Sequence, residues 1–217
     1  MIISYLKYCW QRKGAFRIHS PFVFDYVTKA LHKSSNYDYE KLYSVYRVID
    51  KHRFCTPSAR IKAQLIYKTA SYFNAENIAI AGETKAMNIA AIAMSCPKVQ
   101  LHTTAWREAY DELESLGINS LKLIDNETLL KNLDSDDREP FVLFLASPTE
   151  GNDFLKHTQP DDIIIIDNIH RTRENEHSWN ELKDNDLVKF SFDIYHIGIL
   201  FFKQGFEKQN FVLKWRS

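Results

Sequence analysis

Asp167 and His170 stand three residues apart in the run Ile166-Asp167-Asn168-Ile169-His170. An acid and an imidazole at that spacing, on the turn that follows a strand, can sit side by side as a general base and its orienting carboxylate. The competing reading has Asp167 capping the next helix and His170 bonded to backbone, and Asn168 follows the same two readings. A second group is Gly82-Glu83-Thr84-Lys85. There a glycine admits close backbone approach, Glu83 offers a carboxylate, and Lys85 can meet an anion at a helix N-terminus; an exposed ion pair on a loop is the plainer outcome. A third is Thr103-Thr104-Ala105-Trp106, with hydroxyls and an indole together. His19, His32, His52, His102, His157, His177 and His196 form no H-E-x-x-H or other paired ligand spacing, so no metal site is expected. His19, beside Ser20-Pro21, reads as part of a helix cap, with the ring tucked under aromatic neighbours.

The elements that must position these groups belong to a chain of 217 residues with 28 basic and 28 acidic side chains. At that length one core can bury about two-thirds of the unfolded chain's surface without a disulfide or metal. Zero net charge and the lack of a long basic run speak against nucleic acid and against a membrane surface as partners. Three cysteines (Cys9, Cys55, Cys96) without C-x-x-C spacing suit reduced thiols and a cytoplasmic location. The opening residues read as a short amphipathic helix and not a signal peptide, since Lys7 and Arg12 interrupt the apolar positions. The apolar stretch Ile197 to Phe202 falls far short of the ~20 residues that span a bilayer.

Residues 1–56 carry helical signals and predict an N-terminal helical arm; residues 57–217 predict an α/β domain. Ser20-Pro21 and Thr56-Pro57 each place a hydroxyl before a proline suited to the first helical position. Apolar runs at Ile78–Ala81, Val99–Thr103, Leu121–Ile124, Phe141–Ala146 and Ile163–Asp167, separated by helical lengths, predict five parallel strands. The unbroken Ile163-Ile164-Ile165-Ile166 fits a strand covered on both faces. Leu187–Ile194, Ile197–Lys203 and Phe211–Trp215 leave no room for crossover helices and predict antiparallel strands at the sheet's end. The expected fold is a Rossmann-like three-layer α/β sandwich, with a mostly parallel seven-stranded sheet ending in an antiparallel hairpin. Ligands of such sheets lie at the carboxyl ends of the strands.

With His19-Ser20-Pro21-Phe22-Val23-Phe24-Asp25, Ile166-Asp167-Asn168-Ile169-His170, and Gly198-Ile199-Leu200-Phe201-Phe202 followed by Phe211-Val212-Leu213, the chain resembles the class I S-adenosylmethionine-dependent methyltransferases. The likeness is to a bacterial subgroup of the small-molecule O-methyltransferase type. It implies S-adenosylmethionine as cofactor and a small-molecule acceptor. Gly82, Glu83, Thr103, Trp106 and Asn168 are the implied cofactor contacts, and Asp167 and His170 the implied catalytic pair. The cofactor motif departs from the family pattern. Ile80 stands for the acid and Ala86 for the second glycine of the turn after the first strand; Thr103 and Thr104 lie where a ribose-binding acid is usual; and Ala146 replaces an Asp that helps hold a divalent cation in metal-dependent members. Trp106 either stacks on the adenine or fills its place. Losing a bidentate charged acceptor can weaken binding by two or more orders of magnitude. The expectation is a degenerate methyltransferase-like protein, weakly active or non-catalytic. The alternatives are an active methyltransferase acting on oxygen or nitrogen, or a binding module for another metabolite or a protein. The aromatic arm of Tyr5, Tyr8, Trp10, Phe16, Phe22 and Phe24 either packs on the core, forms a lid, or makes a homodimer.

Overall fold

The computed structural model describes residues 2–14, 18–32, 40, 42–43, 46–47, 57–73, 77–95, 100–103, 121–135 and 137–215. Trp106, Thr104, Cys55, Cys96 and His52 lie outside the described residues. In chain order the helices are α1 (Ile2–Gln11), α2 (Pro21–Tyr26, continued by a π-helical turn Val27–Leu31), α3 (Pro57–Phe73), α4 (Ala86–Ser95), α5 (Asn126–Leu133), α6 (Gly151–Leu155) and α7 (Arg173–Asp184). The strands are β1 (Asn77–Ala81), β2 (Gln100–Thr103), β3 (Leu121–Leu123), β4 (Phe141–Leu145), β5 (Ile163–Asp167), β6 (Phe190–Asp193), β7 (Ile197–Phe201) and β8 (Gln209–Val212).

These strands form one sheet in the order β3-β2-β1-β4-β5-β7-β6-β8. The first five are parallel, and β7 runs antiparallel to both β5 and β6. Two expectations are corrected. Among the described residues the sheet has eight strands rather than seven, and the last of them is not antiparallel to its neighbour: β8 pairs in parallel with β6. The reason is that β7 inserts between β5 and β6, so the chain leaving β7 must return along the outer edge of β6.

Two buried clusters on opposite sides of the sheet make the three layers. Ile78, Ile80, Val142, Phe144 and Ile165 point toward α2, α3 and α4. Ala79, Ala81, Leu143, Leu145, Ile164 and Ile166 point toward α5, α6 and α7. The strict alternation is the two-residue period of a strand buried on both faces, which explains the unbroken isoleucine run. On the second face, an ideal Cβ on Gly198 would lie 2.5 Å from the indole of Trp179. Only glycine leaves room for the α7 tryptophan to approach β7 this closely.

The arm shares the first cluster. Val23, Tyr26, Val27 and Leu31 are fully buried there. Pro21 opens α2 as expected, although the Ser20 side chain makes no capping bond. His19 is exposed, not tucked under aromatic rings.

Candidate functional site

The carboxyl ends of β1, β3, β4 and β5 converge on one edge, as a parallel sheet requires. Gly82 follows β1 with φ +82°, a conformation that L residues avoid. Its missing Cβ matters for a second reason: the place is taken by the carboxylate of Glu150, which lies against the glycine. Glu150 arrives there from the turn after β4. Ser147 accepts from the Thr149 amide and Pro148 occupies the first helical position, so Ser147-Pro148-Thr149-Glu150 has the pattern of a capping box. The glutamate of that box reaches the neighbouring strand's glycine.

Beside this contact lies a cleft of about 660 Å³ lined by Gly82, Glu83, Asp125, Glu150, Asp153 and Lys156, among others. Among the described lining residues, four carboxylates face one ammonium. Burial pushes the Glu150 carboxyl above its ordinary range, and the like charges of Glu83 and Asp153 push it further. Asp125 is held below the ordinary range, chiefly by the Thr128 amide that it accepts at 2.7 Å as the N-cap of α5. Glu83 is exposed. Thr103 ends β2, its Cα paired with that of Ile80 of β1.

At the end of β5 the arrangement differs. The Asp167 side chain is 3% exposed and lies 3.0 Å from the Lys62 ammonium of α3. It also accepts from the Asn168 amide at 2.7 Å and from Asn88 of α4 at 3.2 Å. Asn168 adopts φ +62°, which turns its side-chain oxygen to Lys62 at 2.8 Å and its amide to the Ala146 carbonyl at 3.2 Å. Asparagine tolerates this left-handed conformation better than most residues. Asn88 also donates to Thr84 at 2.9 Å, fixing the loop after β1. Burial raises the Asp167 carboxyl, while Lys62 and then the Asn168 and Asn88 donors pull it back. The cation beside Asp167 is the Lys62 ammonium. Ala146 follows β4, and among the described residues no three His, Cys, Asp or Glu side chains cluster as ligands.

The expected catalytic pairing of Asp167 with His170 does not form. His170 bonds through Nε2 to Asp193 at 2.7 Å, at the end of β6. Its Nδ1 is buried without a partner, 3.8 Å from Glu176. The turn Asn168–Arg171 carries the imidazole away from Asp167, and Tyr195, at φ +65°, stacks on it with ring centroids 5.4 Å apart. His170 lines a separate cavity of about 120 Å³ beneath α1, with Ser4, Tyr8, Glu176 and Asp193. Asp167 does not cap the following helix either; Thr172 does so, accepting from the Asn175 amide. Glu176, on α7, accepts from Ser4 of α1 at 2.7 Å.

Gly82 and Glu83 thus share the cleft, whereas Asp167, Asn168 and His170 are not among its described lining residues. Sequence reasoning passed over Glu150, Lys62, Asn88 and Asp193. The capping-box pattern was the one available signal for Glu150. Lys62 meets a partner 105 positions away, which no local pattern reveals.

No family model and no curated protein matches this sequence. Solved structures do match. The O-methyltransferase TomG from Streptomyces achromogenes, involved in tomaymycin synthesis and solved in complex with SAM, is 17% identical at a TM-score of 0.55, over 83% of this chain and 96% of that one. An O-methyltransferase from Bacillus cereus in complex with SAH is 16% identical at 0.53, over 82% and 96%. A methyltransferase from Geobacter sulfurreducens is 14% identical at 0.54, over 88% and 100%. At such identity the likeness is one of fold, and the chain folds as class I O-methyltransferases do.

Proposed function

We propose that the chain is an S-adenosylmethionine-binding, methyltransferase-like protein with a degenerate cofactor site, in which the cofactor is held weakly and methyl transfer is slow or lost. The observation that carries this reading is the Glu150 carboxylate laid on Gly82 at the mouth of the acidic cleft. A left-handed glycine at the end of β1 is where this fold lets a ligand approach backbone, and a cleft of several hundred Å³ suits a nucleoside-sized molecule. The carboxylates favour the cationic sulfonium and ammonium of the cofactor. Glu150 nevertheless stands in the glycine's approach path and takes part of the space a ligand would need there, which keeps binding weak. Two of the structures of this fold were solved with SAM or SAH, which supports the choice of ligand.

Asp167 is a poor general base in this reading, because Lys62, Asn88 and Asn168 already occupy its oxygens. The second reading, an active methyltransferase acting on an oxygen or nitrogen of a small acceptor, draws on His170. In the neutral tautomer that donates from Nε2 to Asp193, Nδ1 carries the lone pair that a general base needs.

Titration calorimetry with S-adenosylmethionine and S-adenosylhomocysteine tests the first reading. Weak, saturable binding that is stronger for the sulfonium supports it; heat from neither ligand at millimolar concentration rejects it. Turnover of a small acceptor that disappears in His170→Ala, with the fold intact, would establish the second reading.

A further inference from the structure

The charge balance of the whole chain conceals a segregation that α1 displays on its surface. Ile3, Leu6 and Trp10, at positions i, i+3 and i+7, share one face of this helix and are 81%, 62% and 87% exposed. The opposite face is fixed to the domain. Tyr8 is buried and donates to the Leu213 carbonyl at 2.6 Å, Ser4 donates to Glu176, and Tyr5 and Tyr8 pack against Tyr195. The helix is thus docked, and its apolar stripe points outward from a fixed mount.

Every charged side chain that the helix and the residues just after it carry is basic, and the acids that α1 covers, Glu176 and Asp193, lie on its docked side. Lys7 and Lys13 are exposed and Arg12 is half-buried beside the Tyr8 ring. Lys214 joins them, its amide bonded to the Lys13 carbonyl at 3.0 Å. Residues 1–24 contain no aspartate or glutamate, and the first acidic residue is Asp25. A second copy of the helix would bring Lys7 and Arg12 against their own kind, with no carboxylate on either helix to pair them. An anionic lipid surface satisfies both features. Trp10, Leu6 and Ile3 enter the boundary of headgroups and acyl chains, while the basic side chains meet phosphates.

We propose that α1 docks the protein reversibly on anionic membrane surfaces, lying in the interface plane with its Ile3-Leu6-Trp10 face inward. Each lysine or arginine near such a surface raises partitioning about fivefold. Cosedimentation of the full chain with vesicles tests this, using phosphatidylcholine alone against phosphatidylcholine containing about one-third phosphatidylglycerol. The expected result is binding to the anionic vesicles only, lost at high salt, reduced roughly 25-fold in a Lys7→Ala, Lys13→Ala double variant and abolished in Leu6→Ser, Trp10→Ser. These substitutions point to solvent, so an unchanged unfolding midpoint verifies that the variants fold. No binding to either vesicle, or equal binding to both, overturns the proposal. So does a dimer, detected by light scattering, that dissociates in Leu6→Ser, since that result assigns the face to a second copy.

Discussion

Two carboxylates at the same edge of the sheet have opposite surroundings. Asp167, after β5, is almost fully buried yet surrounded by donors: an ammonium, a backbone amide and a side-chain amide. Glu150, after β4, is half-buried among other acids, and its carboxylate lies against Gly82. A third carboxylate, Asp162 at the opposite edge, repeats the Asp167 pattern. Arg138 grips both of its oxygens, and the Phe141 amide donates to it at 2.9 Å. The difference teaches where ligand chemistry belongs. Burial raises both carboxyls, but one whose acceptor sites are taken by its own protein's donors is a clamp, while one that faces like charges has capacity left for a cation. The sequence alone ranked these residues the other way round, with Asp167 as base and Glu150 unnoticed.

The comparison can be broken most forcefully at the clamps. Arg138→Ala leaves Asp162 buried and unpaired, and is expected to cost about 3–5 kcal/mol, or roughly 10 °C in unfolding midpoint. A loss below about 1 kcal/mol would mean that Asp162 is not a clamp. Lys62→Met is expected to cost less, about 2 kcal/mol, because neutral donors remain and Lys62 is partly exposed. Its pH dependence carries a definite sign. The Asp167 carboxyl is raised above the ordinary 3.8 in the folded protein, so its contribution to stability is complete below that value and is lost as pH rises through the folded value. Without Lys62 the folded value rises further. The variant should therefore lose more stability between pH 4 and pH 7 than the parent protein, roughly that ~2 kcal/mol. Equal slopes in chemical denaturation across that range would refute the pairing.

Glu150→Gln should act in the other direction. Its carboxyl is raised above 4.5, so ionisation at neutral pH opposes folding. Removing the charge is expected to stabilise the protein by about 0.5 kcal/mol at pH 7, after allowance for its partial exposure, and by nothing below pH ~4. The same change should weaken S-adenosylmethionine binding about tenfold, since one carboxylate facing the sulfonium or ammonium is gone. Destabilisation together with unchanged binding would show that Glu150 is a clamp like the others. The smallest effect is expected at the exposed Lys131–Glu127 pair on α5, where Lys131→Ala should change stability by less than about 0.5 kcal/mol.

Much of the fold was legible because it rests on local periodicity. The isoleucine run of β5, the proline starts of α2 and α3, and the alternation of strands and helices are properties of short windows. The insertion of β7 between β5 and β6, and hence the parallel β8, was not legible, because strand order is set by long-range packing. The site divides in the same way. Gly82 was readable from its place after β1. The separation of His170 from Asp167 depends on two left-handed residues, Asn168 and Tyr195, and on β6 bringing Asp193 alongside. The contact of Ser4 with Glu176 spans 172 positions, so no local pattern on the polar α7 announces that α1 covers it. Charge summed over the chain also hid the basic character of α1, since the compensating acids lie in the cleft and on other helices.

The most direct test of the central claim is titration of the protein with S-adenosylmethionine, in parallel for the parent chain and Glu150→Gln. The account predicts saturable binding at least about a hundredfold weaker than a micromolar site, weaker again in the variant. Submicromolar affinity, unchanged in Glu150→Gln, would contradict it, as would the absence of any binding at millimolar cofactor.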